Sequence, residues 1–201
     1  APSYDAPAAF IASPILDGTE RIGVLVFQMP VDRINNVMTN DYGWSNVGLG
    51  ESGETYLVGD DYLLRNQSRF LIEDRENYLA MVGRIGLPEN TINRIRILNT
   101  TIGLQPVKTK GTTAALGGET GTKIFPDYRG ISVLSSYKPL ALSDVHWAVM
   151  SEIDEAEAFS RVYKLRNQTA LWFGLLVVVI VSASVLFSKT LSRAQKELME
   201  Q

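Results

Sequence analysis

The N-terminal pattern of apolar residues predicts a β-hairpin followed by a short helix. Residues 10–16 and 22–29 are two apolar runs rich in strand-forming side chains, and Asp17-Gly18 between them is a turn signal. Apolar residues then recur at helical spacing at Ile34, Val37 and Met38. Because two strands and one helix cannot cover a sheet on both faces, this piece either packs onto the rest of the chain or completes a domain that lies mostly outside the chain, and we favour the second.

The pattern of residues 46–155 is that of one mixed domain. Residues 55–58 form a predicted strand, 59–61 a turn, and 63–68 the expected hairpin partner. Two helical patterns follow, one with Tyr78, Met81, Val82 and Ile85 on one face, the other opened by Pro88 with Ile92 and Ile95 facing inward. A third short helix is expected over residues 106–116, where Gly117-Gly118 ends it.

Strand patterns return after these helices. Residues 123–126 and 131–140 flank a predicted turn at 127–130, and a last strand is predicted over 147–153. In the longer strand, alternation places four residues on one face: Ile131, Val133, Ser135 and Tyr137. Hairpins at both ends with helices between them predict a single antiparallel sheet covered by helices on one face, which is an α+β architecture.

The C-terminal part of the chain predicts a helix that crosses a membrane. Asp154 and Glu157 form a D-x-x-E capping-box pattern, and no glycine or proline follows before Thr169, so one unbroken helix is expected. Residues 169–188 are 20 residues without a charge. At about 1.5 Å per residue they span roughly 30 Å, the thickness of a bilayer's hydrocarbon core.

The residues around this span leave its orientation open and predict a coiled coil after it. Basic residues are balanced, with Arg161, Lys164 and Arg166 before the span and Lys189, Arg193 and Lys196 after it. A heptad spacing begins with Phe187, Leu191, Ala194 and Leu198. A two-stranded coil needs a partner helix, so we expect a homodimer.

The composition excludes several classes of function. The net charge is −3 and the basic residues form no stripe, so nucleic-acid binding is not expected. The absence of cysteine excludes disulfides, thiolate metal sites and cysteine nucleophiles. His146 is the one histidine, and we expect it at an exposed strand edge. We therefore predict no catalytic residue, no metal and no cofactor, and we do not expect this chain to be an enzyme.

Three acidic or glycine-rich motifs have structural explanations. Residues 48–53 match the dinucleotide pattern G-x-G-x-x-G, but these glycines precede a predicted strand instead of following one. Asp60-Asp61 lies in a predicted turn, and residues 154–157 lie at a predicted helix start, where acidic residues are common.

One cluster of residues favours a binding function. Its members are polar and aromatic residues on neighbouring strands or their connections, on the side that the helices should cover. An apolar wall with a few hydrogen-bonding groups is what a small-ligand pocket needs. The candidate ligand-binding residues are Tyr56, Arg65, Arg69, Asp127, Tyr128, Ser135 and Tyr137. The alternative is that they are ordinary strand residues that satisfy one another.

Three stretches carry a resemblance to a known family. They are residues 6–39, residues 50–70 with the sequence GESGETYLVGDDYLLRNQSRF, and residues 118–140 taken with HWAVMSEIDEAEAF at 146–159. In order and spacing they resemble the double Cache sensor domains of bacterial transmembrane receptors. The resemblance implies PAS-like modules, each an antiparallel sheet covered by helices, followed here by one C-terminal transmembrane helix.

The resemblance also implies an organisation in five segments. Residues 1–45 would be the closing hairpin and linker of a truncated membrane-distal module, 46–155 a membrane-proximal module, 156–168 an exit helix, 169–188 the transmembrane helix, and 189–201 the start of a cytoplasmic signalling helix. The family's ligand commonly binds the distal module, most of which lies outside this chain, so no ligand identity is carried over.

These implications set the expected function. The chain would be the extracytoplasmic sensor and membrane span of a receptor in the bacterial inner membrane, with residues 1–168 outside and 189–201 in the cytoplasm. It would pass the state of a small ligand by helix movement to an output domain of the chemoreceptor, histidine kinase or nucleotide cyclase type. The alternative is a spacer module that binds nothing and separates a distal sensor from the membrane.

Overall fold

The computed structural model describes residues 7–199, and of residues 191 and 194–199 it describes the backbone alone. Two compact units make up the chain, Ala1–Ala158 and Phe159–Gln201.

The first unit begins with the predicted hairpin and helix. Strands β1 (Ala8–Asp17) and β2 (Glu20–Pro30) pair antiparallel, and Gly18 in their turn has the positive φ of +60° that such a tight connection favours. Helix α1 (Asp32–Thr39) follows. Large apolar side chains of the hairpin are exposed on both faces, among them Ile11 and Val26. The hairpin therefore has the apolar character of strands that are covered on both sides.

Strand β3 (Glu54–Gly59) confirms the first strand of the mixed domain, but its predicted hairpin partner, residues 63–68, pairs with it only over residues 63–65. The pairing consists of a bridge between Val58 and Leu64, with the Gly59 N–H donating to Leu63 and the Arg65 N–H to Leu57. The side chain of Asn66 takes the place of a ladder bond, because its Oδ1 accepts the Leu57 N–H at 2.7 Å. A side-chain acceptor ends the pairing that the sequence pattern alone would continue.

Four helices come next, one of them unpredicted. They are α2 (Arg69–Glu73), α3 (Arg75–Arg84), α4 (Glu89–Leu98) and α5 (Lys110–Leu116). The inward positions of α4 are confirmed, since Ile92 and Ile95 are buried. Helix α5 starts later than predicted because Thr109 caps it in a reciprocal box with Thr112.

The sheet closes with β4 (Gly121–Pro126), β5 (Ser132–Ala141) and β6 (His146–Asp154). All neighbouring strands are antiparallel in the order β3-β6-β5-β4, so the last strand in sequence, β6, lies between β3 and β5. One face of this sheet packs under the helices, with the largest buried side chains from Tyr56, Tyr78, Leu64, Ile95 and Met150. His146 is exposed at the start of β6, as predicted.

The segment after β6 departs from the sequence prediction. A single turn of helix, α6 (Glu155–Ala158), ends before Phe159, and α7 begins at Ser160. The prediction of one unbroken helix from Asp154 is therefore wrong. The capping box is wrong as well, because the Asp154 N–H donates to Ser52 Oγ at 3.0 Å while the Glu157 carboxylate binds residues 51–52.

The second unit is essentially helix α7 (Ser160–Met199). Its stretch Ser160–Thr190 is long and apolar enough to cross a membrane, and none of its most apolar window is buried in the protein. Of the predicted heptad positions, Phe187 alone has a described side chain, and Leu191, Ala194 and Leu198 lie outside the described side chains.

Candidate functional site

A polar patch lies on the buried face of the sheet, where β3 and β6 pair through Glu54 and Glu152. The two glutamates are cross-strand partners, and only 3% and 4% of their surfaces are exposed. Residues opposite each other in an antiparallel pair project to the same face with their Cβ atoms about 5 Å apart. The fold therefore holds two carboxylates side by side in the interior.

Glu152 is bound by hydroxyl groups from both neighbouring strands. The Tyr56 hydroxyl donates to one carboxylate oxygen at 2.7 Å, and the Ser135 hydroxyl donates to the other at 2.8 Å. Tyr56 and Ser135 are both fully buried. Burial is the largest influence on Glu152 and raises its pKa to about 7, although the two hydroxyl bonds act in the opposite direction.

Glu54 is bound by the β4–β5 turn and by the start of α2. The Tyr128 hydroxyl donates to one oxygen at 2.8 Å, and the main-chain N–H of Arg69 donates to the other at 2.6 Å. The Ser68 hydroxyl, which also caps α2, lies 2.9 Å from the Tyr128 hydroxyl. Burial raises the pKa of Glu54 despite these bonds.

The two tyrosines connect these carboxylates into one network. The rings of Tyr56 and Tyr128 meet edge to face with centroids 6.0 Å apart. Burial, reinforced by the nearby glutamates, raises the pKa of both phenols well above the usual 10, so they stay protonated as donors. No buried side-chain nitrogen or oxygen in the described part of the chain lacks a hydrogen-bond partner.

An ion-pair cluster lies beside the network. The Arg129 guanidinium binds Asp127 through Nε and Asp154 through Nη2, and its side chain is 8% exposed. Its carbon Cζ also lies 4.1 Å from the centroid of the Phe70 ring. Arg129 therefore ties the end of β6 to the β4–β5 turn.

The structure brings together five of the seven predicted ligand-binding residues. Tyr56, Tyr128 and Ser135 belong to the carboxylate network, and Asp127 borders it through Arg129. Arg69 joins with its main-chain N–H, while its guanidinium donates to the Gly53 carbonyl and pairs with Glu73.

Arg65 and Tyr137 are not in this cluster. Arg65 pairs with Asp61 at 2.7 Å and lies over the ring of Trp147. Tyr137 is buried in the apolar core, where its ring packs against Phe125 at 6.2 Å between centroids. Strand alternation correctly predicted that Tyr137 lies on the buried face of the sheet. The position of Tyr137 along β5, however, places its side chain among apolar neighbours.

Between sheet and helices, this network adjoins a cluster of buried apolar side chains. An open depression of about 400 Å³ borders it at Asp127 and Tyr128 and is lined further by Gln105, Lys108 and Leu87. Of the seven predicted residues, these two line the depression, and both are largely buried.

Sequence reasoning missed the two glutamates at the centre of the site. The sequence did contain a signal for their burial. Glu54 is two residues from the inward-facing Tyr56 and Glu152 is two residues from the inward-facing Met150, so strand alternation places both glutamates on the buried face. An acidic residue at a position that alternation assigns to the buried face of a strand indicates a structured polar site, since a buried carboxylate needs hydrogen-bond partners.

The glycine-rich loop at residues 48–53 binds a carboxylate of the protein itself. The N–H groups of Glu51 and Ser52 and the Ser52 hydroxyl all donate to Glu157. A Cβ on Gly50, whose φ is +55°, would stand 2.1 Å from a Glu157 oxygen. The glycine allows the loop backbone to approach the carboxylate, which accounts for the motif without a nucleotide.

Comparison with known proteins supports the fold. No family model and no curated protein matches this sequence. The chain is similar to the periplasmic sensory domain of the Campylobacter jejuni chemoreceptor Tlp1, with 15% identity and a TM-score of 0.50 over 76% of this chain. That match covers 45% of the Tlp1 chain, so this protein spans less than half of its length.

Weaker similarities relate the chain to two amino-acid chemoreceptor domains. For Pseudomonas aeruginosa PAO1 PctB in complex with L-Arg, identity is 14%, coverage is 80% of this chain and 49% of that one, and the TM-score is 0.43. For Pseudomonas fluorescens CtaA in complex with L-isoleucine, identity is 12%, coverage is 79% of this chain and 50% of that one, and the TM-score is 0.43. The predicted α+β, PAS-like fold is confirmed by the Tlp1 similarity together with the observed sheet and helices.

Proposed function

We propose that this chain is the extracytoplasmic sensor and membrane-spanning part of a bacterial receptor. Residues 1–168 would lie outside the inner membrane, 169–188 would cross it, and 189–201 would begin the cytoplasmic signalling helix. The sensor fold and the apolar stretch Ser160–Thr190 support a membrane-anchored receptor. The finer statement is that the state of a small ligand outside changes the position of the helix that enters the membrane.

One observation carries the proposal: four acidic residues of the segment 152–157 are each bonded to a different part of the sheet domain. Glu152 binds Tyr56 and Ser135, Asp154 binds Arg129, Glu155 binds Ser132, and Glu157 binds Ser52. We call residues 152–157 the exit segment. A displacement of any of these elements therefore pulls on the exit segment, which leads covalently into α7.

The transmission step can be tested in a fusion of this chain to a cytoplasmic output domain with measurable activity. Inserting one, two or three alanines after Arg166 turns the following helix by about 100° for each residue. Output is expected to change stepwise with each insertion. A seven-residue insertion, close to two full turns, is the matched control and should restore the original output. Output that ignores all the insertions contradicts helix-borne transmission.

The ligand side of the proposal rests on the depression beside Asp127 and Tyr128. We propose that a small polar molecule there would engage these residues and reach Arg69, Tyr56 and Ser135 through the hydrogen-bond network. A thermal-shift screen of the full chain against small metabolites tests it, because a ligand at 100 times its Kd stabilises its protein by about 2.7 kcal/mol. Loss of the shift in Asp127→Asn, with retention in Arg65→Lys, would assign the site.

A second candidate function is a spacer that binds no ligand, and the cluster of buried apolar side chains between sheet and helices favours it. In this case no metabolite would shift the unfolding temperature, while the alanine insertions would still change the output. A homodimer through the exit helix and the cytoplasmic coil is part of either proposal. Light scattering of the detergent-solubilised chain measures the mass of the assembly and so distinguishes a dimer from a monomer.

A further inference from the structure

The Glu54–Glu152 pair has an unusual set of hydrogen-bond partners. Each of the four carboxylate oxygens accepts a hydrogen bond, but every donor is neutral: three hydroxyls and one main-chain N–H. Buried carboxylates are ordinarily paired with a cation, because burying an uncompensated charge is costly. Two such groups on adjacent strands also repel each other when both are ionised.

The cations near the pair are engaged elsewhere. The Arg129 guanidinium is bound by Asp127 and Asp154, and that of Arg69 by Glu73 and the Gly53 carbonyl. On β4, Lys123 stands across from Ser135 at the edge of the same row, but its side chain is exposed, and no ion pair among the described residues joins it to either glutamate.

The remaining titratable neighbours add no positive charge. They are Tyr56 on β3, Tyr128 and Asp127 in the β4–β5 turn, and Tyr78 on α3. Asp127 and the partner glutamate act electrostatically against ionisation of Glu152, whereas Arg129 favours ionisation of Glu54. The surroundings thus favour one retained proton on the pair.

We propose that the Glu54–Glu152 pair is a proton-binding site through which this domain responds to the pH outside the cell. The proton would be held as a carboxylic acid whose O–H donates to a neighbouring hydroxyl, since Tyr56, Tyr128 and Ser135 can each accept as well as donate. It is taken from water when the pH falls and returned to water when the pH rises. This function goes beyond small-ligand sensing and does not depend on it.

The position of the Glu54–Glu152 pair determines which contact in the fold weakens when the proton is lost. Glu152 is the first residue of the exit segment, and Glu54 opens β3, its hydrogen-bonded partner strand. Loss of the proton places two negative charges on one cross-strand pair and weakens the join between β3 and β6. The raised pKa of Glu152, about 7, places this event in the range of natural environments.

Infrared spectroscopy of the full chain in detergent tests the proposal, because a protonated carboxyl has a C=O stretching band that a carboxylate lacks. In the wild type we expect such a band to disappear between about pH 6 and about pH 8, far above the ordinary range of glutamate near 4.3. In Glu152→Gln only Glu54 can hold the proton and the repulsion is gone, so the midpoint should move to lower pH, whereas in Glu119→Gln, whose side chain is exposed, it should stay in place. A wild-type protein without a carboxyl band above about pH 6 would overturn the proposal.

A second variant covers the case in which Glu152→Gln fails to fold. Tyr56→Phe removes a hydroxyl that favours the ionised form of Glu152 and keeps the aromatic ring in the core. The midpoint of the carboxyl band should therefore move to higher pH. A midpoint that stays in place, or moves lower, shows that the titrating group is elsewhere and rejects the site.

Discussion

Ser52 and Glu157 lie 105 residues apart in the sequence, yet Ser52 donates both its main-chain N–H, at 2.8 Å, and its hydroxyl to the Glu157 carboxylate. The N–H of Glu51 donates to the other carboxylate oxygen at 2.8 Å. Ser52 Oγ in turn accepts the Asp154 N–H. The loop ahead of the first sheet strand is thus bonded to the last residues of the exit segment.

The first prediction concerns Gly50, whose missing Cβ makes room for Glu157. Gly50→Ala introduces both an unfavourable positive φ and a clash with the Glu157 carboxylate. Gly48→Ala is a matched control, because Gly48 also has a positive φ but no atom within 4 Å of a built Cβ. We expect Gly50→Ala to cost about 1 kcal/mol more in urea unfolding than Gly48→Ala.

A double-mutant cycle identifies the cause of that difference. In a Glu157→Ala background the clash is gone, so Gly50→Ala should cost no more than Gly48→Ala. An equal cost of Gly50→Ala in both backgrounds would disprove the contact.

The second prediction is that Glu157 stabilises the fold above acidic pH. The Ser52 hydroxyl bond, followed by the Glu51 N–H bond, lowers the pKa of Glu157 below its usual 4.5. A lowered carboxyl pKa contributes stability that is present at neutral pH and lost as pH falls through the folded-state value. The stability difference between the wild type and Glu157→Gln should therefore shrink when unfolding is measured below about pH 4. A constant difference down to about pH 3 would exclude this linkage.

The third prediction concerns Glu152, whose pKa is raised where that of Glu157 is lowered, so its contribution to stability depends on pH in the opposite direction. Its pKa is about 7 in the folded protein and close to 4.5 when unfolded, so the folded state binds more protons between these values. Stability relative to Glu152→Gln should fall as pH rises through this window, by up to about 1.4 kcal/mol for each pH unit. Unfolding at about pH 5 and about pH 8 measures the change, with Glu119→Gln as the control that should show none.

The fourth prediction concerns Arg129, which neutralises two carboxylates at once. Arg129→Met leaves Asp127 and Asp154 without their shared cation, and breaking such a buried pair costs about 3 to 5 kcal/mol. Arg129→Lys should recover part of this loss, since an ammonium keeps the charge but cannot bond both carboxylates in the same fork geometry.

Exposed arginine provides the control for this measurement. Arg84→Met, at the end of α3, removes an exposed side chain and should change the free energy of unfolding by less than about 0.5 kcal/mol. If Arg129→Met were equally mild, the ion-pair cluster would not hold the β4–β5 turn to β6.

The fifth prediction tests the orientation across the membrane. The chain has no cysteine, so a single introduced cysteine reports its own location. In intact spheroplasts, an impermeant thiol reagent should label His146→Cys and should not label Lys196→Cys until the cells are lysed. Lys108→Cys, in the same unit as His146, should behave like His146→Cys. The reverse labelling pattern would invert the proposed topology.

Local chemistry predicted most of the elements. Strand alternation placed Val133, Ser135 and Tyr137 on one buried face, but the prediction for Ile131 is wrong, because Ile131 precedes β5 and is exposed. Helical periodicity placed Ile92 and Ile95 on the inner face of α4. Both periodicities are properties of single elements. Breakers such as Gly18 and Gly117 ended elements where predicted. Failures came where a distant group competed, as when Asn66 took the Leu57 N–H and ended a predicted hairpin.

The candidate site likewise combines features that the sequence predicted with contacts that it could not predict. The sequence by itself determined that Tyr56, Tyr128 and Ser135 face the interior and that residues 169–188 form an apolar span. It could not determine that β6 inserts beside β3, which makes Glu152 the partner of Glu54, or that Glu157 binds the loop at Ser52. These pairs join residues about 100 positions apart, and such contacts follow from strand order, which only the packing of the whole sheet decides.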